Sequence, residues 1–279
     1  MGAAACGARR KQMASLNASL ALPPRSVKPR RRGITSMIDF GPDGFGWTGG
    51  AHGIRDLLDC AGEYIDYAKI YALNSLLMPE RTVSRAVGLY RDAGVMPFAG
   101  GILFEYAWRN GALDDLVRLL QRLGLPALEI SENYVTLSED ERTGEIERFQ
   151  RRGIAVIYEF GRKNPEQPMS LDVLGQLVGD VAAQGIDHVT VEQSEIDLLA
   201  QQSPESLRLL GAQPWFEHVL IEVDPYRFPQ QHVQLLRDFG AEVNLANVTP
   251  GQVLRLEGLR RGIGRAVNYS VLSGDGPAA

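Results

Sequence analysis

Four glutamates, Glu129, Glu159, Glu192 and Glu222, each stand toward the carboxyl end of an apolar, β-type run of the sequence. Asp39 closes an earlier run, Lys69 another, and Glu105 lies just past a third. Asn244 and Asn247 stand in and just past the last one. Carboxylates gathered on one site must bind a metal, pair with cations or hold protons. Hard oxygen ligands in small number suit Mg²⁺, completed by water and substrate. Asp39, Glu105, Glu129 and Glu159 are the candidate ligands. Some of the carboxylates must instead neutralise Lys69, Arg162 and Lys163. The stretch "AVIYEFGRKNP" (155–165) poses the question most sharply, because a buried strand runs into Glu159, then Gly161, then two cations. Such a strand either enters a solvated loop or delivers charge to a ligand.

These residues can converge only if the elements between them are regular. From residue 33 onward, β-type runs alternate with amphipathic stretches. The strand candidates are 33–39, 64–70, 95–101, 127–131, 154–160, 188–192, 218–223 and 241–246, short runs rich in Val, Ile and Tyr and bounded by turn residues. Between them, 112–124 places Leu113, Leu116, Leu119 and Leu120 on one helical stripe and ends in Gly124. Ser138 opens a segment with acids in its first turn and Arg151, Arg152 and Gly153 at its end, as the helix dipole favours. Eight such units predict a single (β/α)₈ TIM barrel over 32–270. An open doubly wound sheet is the alternative. It would carry a glycine-rich phosphate fingerprint after the first strand, whereas "DFGPDGFGWTGG" is long and lacks that spacing. It reads as a loop over the barrel mouth.

In such a barrel, residues at the carboxyl ends of strands share one site. Lys69, Glu192, Glu222, Asn244 and Asn247 are therefore expected to meet a small-molecule substrate, with Tyr71, Asn74 and Arg162 from adjoining loops. The four histidines have no metal spacing, and His188 and His218 precede strands, which predicts the opposite end of the barrel. Trp47, Trp108 and Trp215 read as packing residues, the first two flanking the mouth.

Composition excludes several classes. No apolar run is long enough to span a membrane, and Cys6 and Cys60 make no disulfide framework, which fits a reducing cytoplasm. The net charge of −5 hides an asymmetry. Residues 1–32 hold eight Lys or Arg and no acid; removing these from the 29 cations leaves 21 against 34 acids. So acidic a body argues against nucleic acid as the partner. The basic segment 1–31 reads as a disordered extension, and 271–279 as a C-terminal tail.

The motifs "YIDYAK" (64–69), "GGILFEYA" (100–107), "LEIS" (128–131), "FGAEVNLANV" (239–248) and "LEGLRRG" (256–262) stand in one order along nearly the whole presumed domain. In these the chain resembles the phosphosulfolactate synthase family. The resemblance implies a (β/α)₈ barrel, a homo-oligomer and Mg²⁺, with sulfite added to phosphoenolpyruvate on the way to coenzyme M. It also implies a catalytic lysine in the loop after strand five, a position that Lys163 fills, with Glu159 and Glu129 beside it. Lysine acts as a general acid when its pKa is drawn toward neutrality, and neighbouring Arg162 is the expected cause.

The departures fall where anions would be held. Phe40 stands where the family has lysine, "YALN" (71–74) replaces a glycine turn, Ser194 replaces an arginine, and the terminal segment becomes "GRAVN" (264–268). The expectation is a diverged family enzyme. It would keep acid/base parts and depend weakly on Mg²⁺, doing addition, elimination or proton transfer on an enolisable carboxylate or carbonyl compound. The family reaction itself and a non-catalytic, stress-associated interaction protein are the alternatives.

Overall fold

The computed structural model describes residues 20–42 and 50–273. Eight parallel strands close into a barrel in sequence order. They are β1 (Thr35–Asp39), β2 (Tyr67–Ile70), β3 (Met96–Ala99), β4 (Ala127–Ser131), β5 (Ala155–Phe160), β6 (Val189–Val191), β7 (Val219–Glu222) and β8 (Leu245–Val248). Among the described residues the helices are α1 (Ala51–Ala61), α2 (Asn74–Leu77), α3 (Glu80–Asp92), α4 (Gly101–Arg109), α5 (Leu113–Leu123), α6 (Glu139–Arg151), α7 (Leu171–Ala183), α8 (Gln193–Gln202), α9 (Pro204–Gly211), α10 (Gln230–Phe239) and α11 (Val253–Arg260). The fold is the TIM barrel that the alternation predicts.

Local chemistry explains the elements. The α5 stripe of Leu113, Leu116, Val117, Leu120 and Leu123 is buried, and Gly124 ends the helix at φ +73°, where a side chain would be strained. Helix α6 starts with a capping box between Ser138 and Glu141 and carries Arg148 and Arg151 in its last turn. The core has two layers. Between barrel and helices lies one continuous apolar cluster. Inside the barrel, near its N-terminal end, Ile34, Leu220, Ala246 and Tyr67 pack together, with Phe98 edge-on to Tyr67. This plug closes the barrel below the polar residues.

Two boundaries differ from the sequence reading. Strand eight was expected over 241–246 and lies at Leu245–Val248. Gly240, at φ +86°, ends α10, and residues 241–244 fold beneath the barrel, where Gly33 donates to the Glu242 carbonyl. The alternating pattern of "AEVNLANV" satisfies either register. The basic extension, read as disordered over 1–31, is held against the barrel in its described part, 20–31. Arg25 pairs with Glu242 and lies 3.5 Å from Glu257, Arg30 lies 3.2 Å from Asp66, and Lys28 donates to the Gly62 carbonyl at 2.8 Å. Its cations find acids at the barrel's N-terminal end. Residues 1–19 and the tail beyond 273 lie outside the described residues.

Candidate active site

Strand pleating sorts the candidate residues. Side chains alternate between barrel interior and helix layer, and Lys69, Glu129, Glu159 and Glu222 all fall on the inward set. They line one cavity of 480 Å³ at the C-terminal mouth, together with Lys163, Tyr71 and Asn247. All four carboxylates, Glu192 included, are buried, as is Lys69.

The charges interleave. Lys69 Nζ lies 2.7 Å from Glu129 Oε1 and 3.3 Å from Glu159 Oε2. Lys163 Nζ bonds to Glu192 and lies 3.3 Å from Glu222 Oε1 and 3.9 Å from Glu159 Oε1. Glu159 thus joins the two lysines into one network. Gly161 makes this possible. Its φ is +112°, and a Cβ there would come within 2.5 Å of Glu195 Cγ and 3.0 Å of Glu192 Cβ. The loop therefore passes close over the start of α8 and turns Lys163 back onto the carboxylates.

Burial and pairing separate the carboxyl groups. Burial pushes Glu129 up to about 8 against the pull of Lys69. Burial and the nearby Glu222 push Glu192 up to about 8. Glu159 is just as buried, yet Lys69 and Lys163 hold it down at about 2, helped by Asn133 Nδ2, which donates to its Oε1 at 2.7 Å. Near neutral pH the cavity therefore presents a proton-bearing carboxyl, Glu129, beside a carboxylate, Glu159.

Lys163 departs from its expected chemistry. Burial opposes its charge, but Glu222, Glu159 and Glu192 outweigh burial and raise its pKa above the ordinary lysine value. Arg162 does not act on it. The Arg162 side chain is exposed and donates to Thr136 Oγ1 at 2.7 Å, and it lines an adjoining groove of 830 Å³ that shares Glu159 with the mouth cavity. Arg162 thus lies outside the lining of the mouth cavity where it was expected.

Four further expectations are corrected. Asp39 follows inward-facing Ile38 and so points to the helix layer, where Tyr90 donates to Oδ2 at 2.8 Å and the Gly41 amide to Oδ1 at 2.8 Å. Glu105 lies on α4, where it accepts from Ser131 Oγ and from the amides of Asn133 and Tyr134. It shapes the loop after β4. Asn244 is at the N-terminal end of the barrel, receiving the Ile34 amide at 3.0 Å and donating to the Glu217 and Val219 carbonyls. Asn74 lies outside the cavity lining and donates to the Phe40 carbonyl at 2.7 Å. Of the tryptophans, Trp108 stacks on Phe104 in the helix layer, with ring centroids 6.1 Å apart; Trp47 lies outside the described residues.

The proposed Mg²⁺ ligands therefore do not converge. Asp39 and Glu105 face elsewhere, and Glu129 and Glu159 share Lys69. A different trio, Glu159, Glu192 and Glu222, has carboxylate oxygens within 4.8 Å of one another, but the Lys163 ammonium sits among them. Two buried oxygens do fit a cation: Glu222 Oε2 and Asn247 Oδ1 have no hydrogen-bond partner. They are hard donors on neighbouring strands and line the same cavity. Asn247 holds the left-handed region at φ 59° and Ala72 at φ 40°, and both line the cavity. Non-glycine residues in such conformations gather at functional sites.

Sequence reasoning missed Asn133, Ser131 and the Gly100–Gly101 pair. The Gly101 amide donates to Glu129 Oε1 at 2.9 Å. A Cβ on Gly101 would strike Ser131, and one on Gly100 would meet Lys69 Cε at 3.1 Å. The available signals were "GG" directly after a strand and the polar "SEN" that ends β4.

Fold and site together define a (β/α)₈-barrel protein with a cavity of interleaved carboxyl groups and lysines at the strands' carboxyl ends. The family model for (2R)-phospho-3-sulfolactate synthase (ComA) matches residues 23–265, and the chain belongs to that family. It is 31% identical over 245 residues to the phosphosulfolactate synthase of Methanocaldococcus jannaschii, covering 84% of this chain and 92% of the relative. With the phosphosulfolactate synthase of Methanothermobacter thermautotrophicus it shares 31% over 255 residues, 86% and 93% of the two chains. A putative dihydrodipicolinate synthetase from Pseudomonas aeruginosa superposes with TM-score 0.51 at 14% identity, over 87% of this chain and 77% of that one; that likeness shows the fold alone. The chain is thus a synthase- or lyase-type enzyme of this superfamily. Among the described residues, no helix is long and apolar enough to cross a membrane.

Proposed function

We propose that this enzyme carries out acid/base addition, elimination or proton transfer on an enolisable carboxylate or carbonyl compound. One observation carries the reading: Glu129, pushed up to about 8, and Glu159, held at about 2, line one cavity on either side of Lys69. Glu129 donates a proton near neutral pH and Glu159 accepts hydrogen bonds from substrate as a fixed anion. Lys163 stays charged and stabilises negative charge as it develops on the substrate oxygens. Its three carboxylates make it a better electrostatic stabiliser than a general acid. Glu222 and Asn247 would hold Mg²⁺, which when bound would supply a Lewis acid for the substrate carboxylate.

Solvent-deuterium exchange tests this. The purified protein in deuterated buffer should exchange α-protons of a small set of keto and enoic acids, followed by NMR. Glu129→Gln and Lys163→Ala should each lose about 100-fold or more of that rate. Exchange absent for every acid tested, or unchanged in the variants, overturns the proposal.

The family reaction is the second reading, favoured by the 31% identity to two phosphosulfolactate synthases. Against it, Phe40 packs on Tyr71 at 4.7 Å, and Ser194 Oγ is engaged with the Lys163 carbonyl and Glu192. Arg265 lines another groove. Phosphosulfolactate formed from phosphoenolpyruvate, sulfite and Mg²⁺, read by mass spectrometry, at about one turnover per second or faster, would establish this reading instead. A reducing cytoplasm is the proposed setting, supported by free, exposed Cys60. Self-association is supported by exposed Leu76 and Leu77 beside each other on α2.

A further inference from the structure

The cavity has a charged floor and an aromatic rim. Phe40, Tyr71, Tyr134 and Tyr226 come from the loops after β1, β2, β4 and β7, and all four line the same 480 Å³ space. Three of them are largely open to solvent, Tyr71 at 43%, Tyr134 at 53% and Tyr226 at 83% exposed. Large rings left exposed around a concave site mark a binding surface. Phe40 and Tyr71 already meet at 4.7 Å with planes inclined by 55°, and Asn74 fixes the backbone of Phe40 from below.

Size and charge agree. At about 30 Å³ per water-sized group, an acid of six heavy atoms fills less than half of 480 Å³. The floor carries three carboxyl groups, Glu129, Glu159 and Glu222, against two ammoniums, and a proton on Glu129 removes one of those negative charges. Both lysines are already paired. A compact polyanion finds neither a free cation among the described lining residues nor contacts for the rim. An acid with one charged end asks least of the paired lysines, and its flat apolar body meets the rim.

We propose that the cavity selects a carboxylic acid bearing an aryl group, with Tyr71, Tyr134, Tyr226 and Phe40 as the specificity-determining residues. This rests on the acid/base reading for the role of the floor, while the rim is argued from its own geometry. The test is calorimetric titration of the purified protein with trans-cinnamate and with crotonate, the same enoic acid with methyl in place of phenyl. Cinnamate should bind at least about tenfold more tightly, the worth of burying one ring. In Tyr71→Ala/Tyr226→Ala, which removes two rings of the rim and leaves the floor's charges in place, the ratio should fall toward one. A ratio near one in the unaltered protein, a ratio that survives the double substitution, tighter binding of phosphoenolpyruvate than of cinnamate, or no binding of either acid each overturns the proposal. Binding is read without turnover. A selective protein that fails deuterium exchange would therefore sink the chemical reading and leave this one standing.

Discussion

Replacing Lys69 with methionine should convert the centre of the site from a balanced triad into two facing carboxyls. Methionine keeps the apolar stem that threads the barrel and removes only the ammonium. That ammonium lies 2.7 Å from Glu129 Oε1 and 3.3 Å from Glu159 Oε2, with side-chain exposures of 9%, 1% and 3% for the three residues. At an effective dielectric of about 20, the contact with the Glu159 carboxylate is worth roughly 5 kcal/mol of gross attraction. Desolvation of three buried groups offsets most of it. What removal leaves is an uncompensated buried charge, at about 3–5 kcal/mol. For a domain of this size that lowers the melting temperature by on the order of 10 °C. The loss should be larger at pH 8 than at pH 5, because protonation relieves the bare carboxyls at the lower pH. Adding Glu159→Gln, which removes the carboxylate left without its ammonium, should restore at least half of it. Urea titrations followed by circular dichroism at both pH values decide the matter. A Lys69→Met protein as stable as the parent at pH 8 would show that the lysine is not desolvated between the carboxylates, and the argument for separated Glu129 and Glu159 would fail with it.

The pH dependence of the unaltered protein should carry the same signature. Glu129 and Glu192 sit at about 8 in the fold against about 4.3 when unfolded, so their contribution is full below about pH 4 and is lost as pH rises through 8, by up to about 1.4 kcal/mol per unit for each proton retained. Glu159, at about 2, works oppositely: its contribution is present above about pH 4.3 and disappears as pH falls toward 2. Denaturant midpoints should therefore decline between pH 5 and 8, and a steady rise over that interval contradicts the assignment. Gly161→Ala should cost about 1–3 kcal/mol from backbone strain and lower the deuterium-exchange rate by displacing Lys163. An alanine variant with parental stability and rate would show that the loop tolerates a Cβ at φ +112°.

The barrel was legible because strand and helix periodicities are local properties. β-Branched runs, the α5 leucine stripe and the Ser138 cap depend on neighbours a few residues away. The same runs identified the residues at the strand ends, so Lys69, Glu129, Glu159, Glu222 and Asn247 could be named before any fold was known. Which way a side chain points is another matter. Successive strand residues face opposite sides, so a shift of one position moved Asp39 from the mouth to Tyr90 and the helix layer. The register of β8 carried Asn244 to the far end of the barrel. Glu105 was lost to the cavity because the chain had already turned into α4. Nor does sequence state which cation meets which carboxylate. Lys69 and Glu159 are 90 residues apart, and only barrel closure brings them into contact. Closure also decides that Glu129 keeps its proton while Glu159 does not. Both are glutamates toward the carboxyl ends of β-type runs, and they differ only in how many ammoniums and amides reach each one in a space that excludes water.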